Sequence, residues 1–136
     1  VLTDPASREC IKLLTSVMGR YSRFTFSSTQ INFLLKLVSA DIDRSDNHSA
    51  LFAFLKAIVS KGVVVPIVYD LMNNVSSAML VSNDDSIRKA SSNLFLQYLL
   101  DYPMNEKRRK HHIEFLAKNA SFDYDSGRMS VLEMIR

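Results

Sequence analysis

A chain of 136 residues with 47% hydrophobic and 23% charged side chains carries enough apolar material for a core and too little charge for a disordered segment. Three glycines and three prolines are too few for a turn-rich β fold, and a single cysteine excludes an intramolecular disulfide and a cysteine-based zinc finger. A formal charge of +3 is mild, so any nucleic-acid contact is expected at a local patch. No apolar run reaches the ~20 residues that cross a bilayer. Cys10, set beside Ile11, Leu13 and Leu14, reads as a small buried hydrophobe, and lone cysteine usage fits a reducing compartment. An opening on Val1 rather than Met, with no signal peptide, reads as a chain excised from a longer one. The sequons at Asn47, Asn74 and Asn119 are expected to stay unmodified, Asn74 because it falls inside a helix.

The first helix is placed at about 4–18. Asp4 caps it, Pro5 takes the first helical position where a missing N–H costs nothing, and Gly19 marks the stop. Its apolar stripe is Cys10, Ile11, Leu14, Val17 and Met18. Arg20–Ser28 reads as an ordered loop with Tyr21, Phe24 and Phe26. Ser27 and Gln30 have capping-box spacing, and Ile31, Leu34, Leu35 and Val38 give the second helix its inner face. The polar run Asp41–Asn47 separates it from a third helix, His48–Ser60, with Leu51, Phe52, Leu55, Ile58 and Val59 inward. Gly62 then suits a left-handed cap.

Val63, Val64 and Val65 have strand-like composition. Pro66 argues instead for the start of a fourth helix bearing Ile67, Val68, Leu71, Met72, Val75 and Met79. Asn83 or Asp84 caps a fifth helix with Ile87, Ala90, Leu94, Phe95, Tyr98 and Leu99 inward, and Tyr102-Pro103 ends it. A sixth spans about Met104–Lys118, polar in its first half and apolar at Ile113, Phe115, Leu116 and Ala117. After the loop Ala120–Gly127, with Phe122 and Tyr124, a last helix starts near Arg128. It presents Val131, Leu132 and Ile135 without a partner, and self-association of the isolated chain is expected.

Apolar helix, acidic turn, apolar helix: this order holds for both Leu34–Val59 and Leu71–Leu100, at a spacing of roughly 36–41 residues. Such pairs have one face they cannot bury alone, so neighbours must stack. The pattern indicates an all-α fold of HEAT-like antiparallel helix-pair repeats, an α-solenoid fragment. One domain spans 1–136, with pairs at about 29–61, 66–102 and 104–136 behind the helix at 4–18. An ordinary helical bundle shares the periodicity and is the competing architecture.

Few constellations suggest chemistry. Asp41, Asp43 and Asp46 begin like a calcium loop, but Asp46 stands where glycine is required and Phe52 where the bidentate glutamate belongs. Asp123-Tyr124-Asp125-Ser126-Gly127 fails likewise, with Met134 at its closing position. His111 and His112 are about 100° apart on a helix and do not face one metal ion easily. No phosphate-binding glycine loop or catalytic triad appears, so neither an enzyme nor a cofactor is expected. Arg88, behind Asp84-Asp85, reads as a structural residue, placed where a basic side chain bonds the turns of adjacent repeats. The six methionines read as scattered core filler.

The one functional-looking patch is Lys107, Arg108, Arg109, Lys110 and His111. Consecutive cations cover every side of a helical turn, so some must face solvent, where phosphates could meet them. A solvated surface partly paired by Glu106 and Glu114, or a nuclear-import signal, are the other readings of this run.

The strings Ile87-Arg88-Lys89, Phe95-Leu96-Gln97-Tyr98-Leu99-Leu100-Asp101-Tyr102-Pro103, Phe115-Leu116-Ala117-Lys118-Asn119 and Ser126-Gly127-Arg128-Met129-Ser130-Val131 carry a family resemblance. Over roughly Tyr69–Ile135 the chain resembles the very large HEAT-repeat scaffold proteins of the small-subunit processome, whereas Val1–Val68 matches only as generic helical repeat. The resemblance implies a nucleolar, non-enzymatic scaffold in ribosome biogenesis and rRNA processing. Its implied partners are other processome proteins, the U-three snoRNP and pre-ribosomal RNA. It supplies no catalytic residues, cofactor or membrane contact. A protein-binding HEAT adaptor without RNA contact, as in nuclear transport, and a self-contained helical regulatory domain remain alternatives.

Overall fold

The computed structural model describes residues 5–21, 26–39 and 48–136. Among them the chain is all-α. Its helices are α1 (Pro5–Arg20), α2 (Ser28–Ser39), α3 (His48–Lys61), α4 (Pro66–Val81), α5 (Asp85–Asp101), α6 (Glu106–Asn119) and α7 (Asp125–Ile135), with no strand among the described residues. Asp4, Phe24 and the acidic run Asp41–Asn47, including the calcium-loop aspartates and the Asn47 sequon, lie outside the described residues.

Local chemistry sets most boundaries. The α2 capping box forms as spaced: Gln30 N–H donates to Ser27 Oγ at 3.2 Å and Ser27 N–H donates to Gln30 Oε1 at 2.9 Å. Gly62, at φ +63, ends α3 in the left-handed region. Pro66 opens α4 after an extended Val65. Asp84, not Asn83, caps α5, accepting from Ser86 N–H at 2.8 Å and Ile87 N–H at 3.4 Å. The Ser86 hydroxyl at 2.7 Å adds a further bond, and these bonds hold the Asp84 carboxyl below its usual range.

Two boundaries differ from expectation. Gly19 is helical and α1 runs to Arg20, Tyr21 N–H still donating to Val17 O, because nothing there demands a left-handed residue. The seventh helix starts at Asp125 rather than near Arg128, so Gly127 lies within it. The reason is packing. A Cβ on Gly127 would fall well inside contact distance of the Leu80 carbonyl oxygen and 2.9 Å from Phe122 Cδ1, so only glycine lets α7 close on the end of α4.

Two rows of packed helices run through the chain, α1 on α3, α3 on α5 and α5 on α7 in one and α2 on α4 in the other; α4 also packs on α5 and α7, and α6 packs lightly on α7. The α4/α5 pair is an antiparallel hairpin closed at its open end by Tyr102, whose hydroxyl donates to Val63 O at 2.8 Å and accepts from Val65 N–H at 3.3 Å. Rungs at comparable sequence separation join α3 to α5. At one end His48 Nε2 and Ser86 Oγ are 3.3 Å apart, and at the other Gln97 Nε2 donates to Ser60 Oγ at 2.6 Å. Start meets start and end meets end, so α3 and α5 run parallel. These separations of 37 to 39 residues fall within the repeat spacing read from sequence.

A second signature recurs. Arg88 donates to Ser82 O at 2.7 Å and to Asp85 Oδ1 at 3.1 Å. Arg128 donates to Phe122 O at 2.9 Å and bonds Asp125 Oδ1 in the same arrangement. Each arginine thus clamps the turn that leads into its own helix, and these Arg88 bonds lie within that turn rather than between turns of adjacent repeats.

The core between the rows contains Ile31, Leu35, Leu51, Phe54, Leu55, Ile58, Leu71, Met72, Val75, Met79, Phe95 and Tyr98, all fully buried. Each large side chain there contributes about 1.5–3 kcal/mol relative to exposure. Cys10 is exposed, contrary to its sequence reading. On α1 the buried residues are Ile11 and Met18, two turns apart, which rotates Cys10 off the core side. Val131 is fully buried and is not part of the unpartnered α7 face, which is formed by the exposed Met129, Leu132 and Ile135. Met129 is likewise surface rather than core filler.

Candidate nucleic-acid interface

The first two turns of α6 hold every sequence-predicted binding residue. Asn105 caps it, its side chain accepting from Arg108 N–H at 2.9 Å and its carbonyl from Arg109 N–H at 3.1 Å. Helical rotation then distributes the cations. Lys107, Lys110 and His111 are exposed on neighbouring positions of one face, and Lys110 Nζ lies 3.8 Å from Glu114 Oε1, a loose pair in solvent. Arg108 and Arg109 are half-buried.

Lys107, Arg108 and His111 face α4 across an open groove of about 470 Å³, lined also by Tyr69, Asp70 and Asn73 of α4, Asn105 and His112. Arg109 and Lys110 do not line it. The Arg108 guanidinium lies over the Tyr69 ring, 3.5 Å from its centroid, a cation–π contact worth about 0.5–1 kcal/mol at an exposed site and more where desolvated.

That stack rests on an aromatic floor. The Tyr69 hydroxyl donates to Pro103 O at 3.2 Å, and its ring meets Tyr102 edge-on with centroids 5.7 Å apart. Tyr102 tilts against Tyr98 at 5.3 Å, and Tyr98 and Phe95 each meet the His112 ring at 5.4 Å. Burial pushes the Tyr98 phenol up to about 12, the Arg108 charge acting the other way. Burial also raises Tyr102 and lowers His112 from its usual 6.5; His111 and Arg108 lower His112 further by repulsion. His112 therefore stays neutral inside the fold, with Nε2 3.3 Å from Tyr98 Oη.

His112 belongs to the core, not to the polar half of α6 where its sequence neighbours placed it. The signal was its spacing: His112, Phe115 and Leu116 stand at i, i+3 and i+4. Tyr69, Asp70 and Asn73, the far wall of the groove, were not anticipated as site residues. Tyr69 and Asn73 are one turn apart on α4, but only tertiary packing brings them to Lys107. Among the described residues no three His, Cys, Asp or Glu side chains gather as metal ligands, and no helix is long and apolar enough to cross a membrane.

No protein-family model matches the chain. The U3 small nucleolar RNA-associated protein 20 of Schizosaccharomyces pombe is 28% identical to it over 124 residues, 91% of this chain and 5% of that protein. The protein of the same name from Saccharomyces cerevisiae is 29% identical over 125 residues, 92% of this chain and 5% of its own length. The similarity reaches beyond the Tyr69–Ile135 strings into the first half of the chain. In sequence, then, this all-α chain is similar along nearly its whole length to a short stretch of two yeast U3 small nucleolar RNA-associated proteins 20.

Proposed function

We propose that this chain is a stretch of a non-enzymatic, nucleolar α-solenoid scaffold of the small-subunit processome. In this reading it supports assembly and early processing of small-subunit pre-ribosomal RNA. The similarity to two U3 small nucleolar RNA-associated proteins carries the proposal. Two structural features support it. The α4/α5 hairpin, the parallel α3 and α5 and a recurring arginine clamp support a reading as stacked pairs at about 29–61, 66–102 and 104–136. The groove lined by Lys107, Arg108 and His111 offers cations to a phosphate backbone. Other processome proteins and pre-ribosomal or small nucleolar RNA are the partners in this reading.

RNA binding measured across a salt series tests it. Lys107→Ala and Lys110→Ala should each weaken binding alike across RNA sequences and reduce the slope of log K against log salt by about 0.7. RNA binding with no salt dependence, or unchanged in both variants, would remove the RNA-facing role and leave a protein-binding adaptor.

A further inference from the structure

We propose that the groove between α4 and α6 is a single-stranded RNA subsite in which one unpaired base stacks on the outer face of the Arg108 guanidinium, and that this base is guanine. The inference rests on the RNA-binding reading above and adds to it the strand class and the residues that recognise the base.

The geometry differs from a plain cationic surface in three ways. First, Arg108 is not free to follow a phosphate: its guanidinium carbon sits over the Tyr69 ring, 3.5 Å from the centroid. A plane held on one side by an aromatic ring presents its other side as a stacking surface, and unpaired RNA bases use guanidinium planes in this way. Second, the platform is ordered before any ligand arrives. Tyr69 is fixed by its bond to Pro103 O and by Tyr102, which is itself bonded to the backbone at Val63 and Val65. Such preorganisation lowers the ordering cost of binding.

Third, the wall opposite the cations carries Asp70 and Asn73. A carboxylate weakens a site meant only for phosphates, but it suits the edge of a base that presents N–H donors. Guanine offers two parallel donors, N1–H and the N2 amino group, matched to the two oxygens of Asp70. Asn73, which both donates and accepts, complements the remaining edge. Lys107 and His111 stand on the α6 side, where the flanking phosphates would run. The open volume, about 470 Å³, lies within the range of small-ligand clefts. A duplex keeps its bases stacked inside and cannot insert one here, so paired RNA is excluded.

Fluorescence anisotropy with a short labelled oligouridine bearing one central guanine tests this. The same strand with adenine in that place and a duplex of equal length serve as competitors. Arg108→Lys keeps the charge and removes the plane; affinity for the guanine strand should fall about tenfold with the salt slope unchanged. Asp70→Asn should abolish the preference for guanine over adenine while binding persists. Thermal unfolding of both variants at the wild-type temperature separates these effects from misfolding. Wild-type affinity in Arg108→Lys, equal affinity for duplex and single strand, or no guanine preference in the wild type would each overturn the stacking site and leave a salt-dependent cationic patch standing. Absence of any RNA binding by the wild type at low salt would overturn both readings together and point to a protein occupant.

Discussion

Gly127→Ala is the sharpest test of how α7 joins the fold. Gly127 is buried within α7, and an added Cβ would press on the Leu80 carbonyl oxygen, lie 2.9 Å from Phe122 Cδ1 and sit 3.1 Å from Leu80 C. The Phe122 ring can turn aside, but the Leu80 backbone is fixed by the last turn of α4, so α7 must shift. Overpacking costs about 1–3 kcal/mol, and a clash with rigid backbone belongs at the top of that range. Alanine returns about 1 kcal/mol of helix propensity, leaving a net loss of about 2 kcal/mol. For a chain of this size that lowers Tm by about 8 °C. Gly19→Ala is the internal control. Gly19 is helical with nothing within 4 Å of its added Cβ, so the same substitution should stabilise by about 0.5–1 kcal/mol. Thermal and urea unfolding of both variants give the comparison. If Gly127→Ala matches or exceeds the wild type while Gly19→Ala gains stability, the close seating of α7 on α4 is wrong.

Two further perturbations probe the hairpin and the aromatic floor. Tyr102→Phe removes the hydroxyl that satisfies Val63 O and the N–H of the buried Val65. It should cost about 1–3 kcal/mol in urea unfolding and speed amide exchange at Val65; unchanged exchange would show that the tyrosine does not close the hairpin. His112 has a folded-state pKa below its unfolded 6.5, mainly from burial, so the unfolded chain takes up the proton first. Stability should therefore be intact above pH 6.5 and fall as pH drops from there toward the folded pKa, by at most about 1.4 kcal/mol per pH unit, then level off. His112→Gln should lose that slope while other groups titrate as before. Identical pH profiles for the two proteins would refute a buried neutral His112.

The sequence alone determined the helical content and most boundaries, because these depend on residues near in the chain. Ser27 with Gln30, Pro66, Asp84, Gly62 and Tyr102-Pro103 each act through local hydrogen bonds or fixed backbone angles, and each acts where its spacing indicated. The spacing of apolar helices and turns is likewise written locally, and the α3–α5 bonds span 37 and 38 residues, in keeping with it.

Only tertiary structure decided which members of an apolar or charged run face what. A one-residue rotation moves a side chain about 100° around its helix, and neighbouring helices fix that rotation. Packing on α3 turned Cys10 outward, and ring contacts with Phe95 and Tyr98 of α5 hold His112 inward. The candidate site shows the same division. Composition located the cations of α6, but the α4 residues that complete the groove lie more than thirty positions away in the chain, and no local pattern links them. Their meeting depends on the hairpin angle set by the α4/α5 core, an energy shared among many buried side chains rather than marked by any one residue.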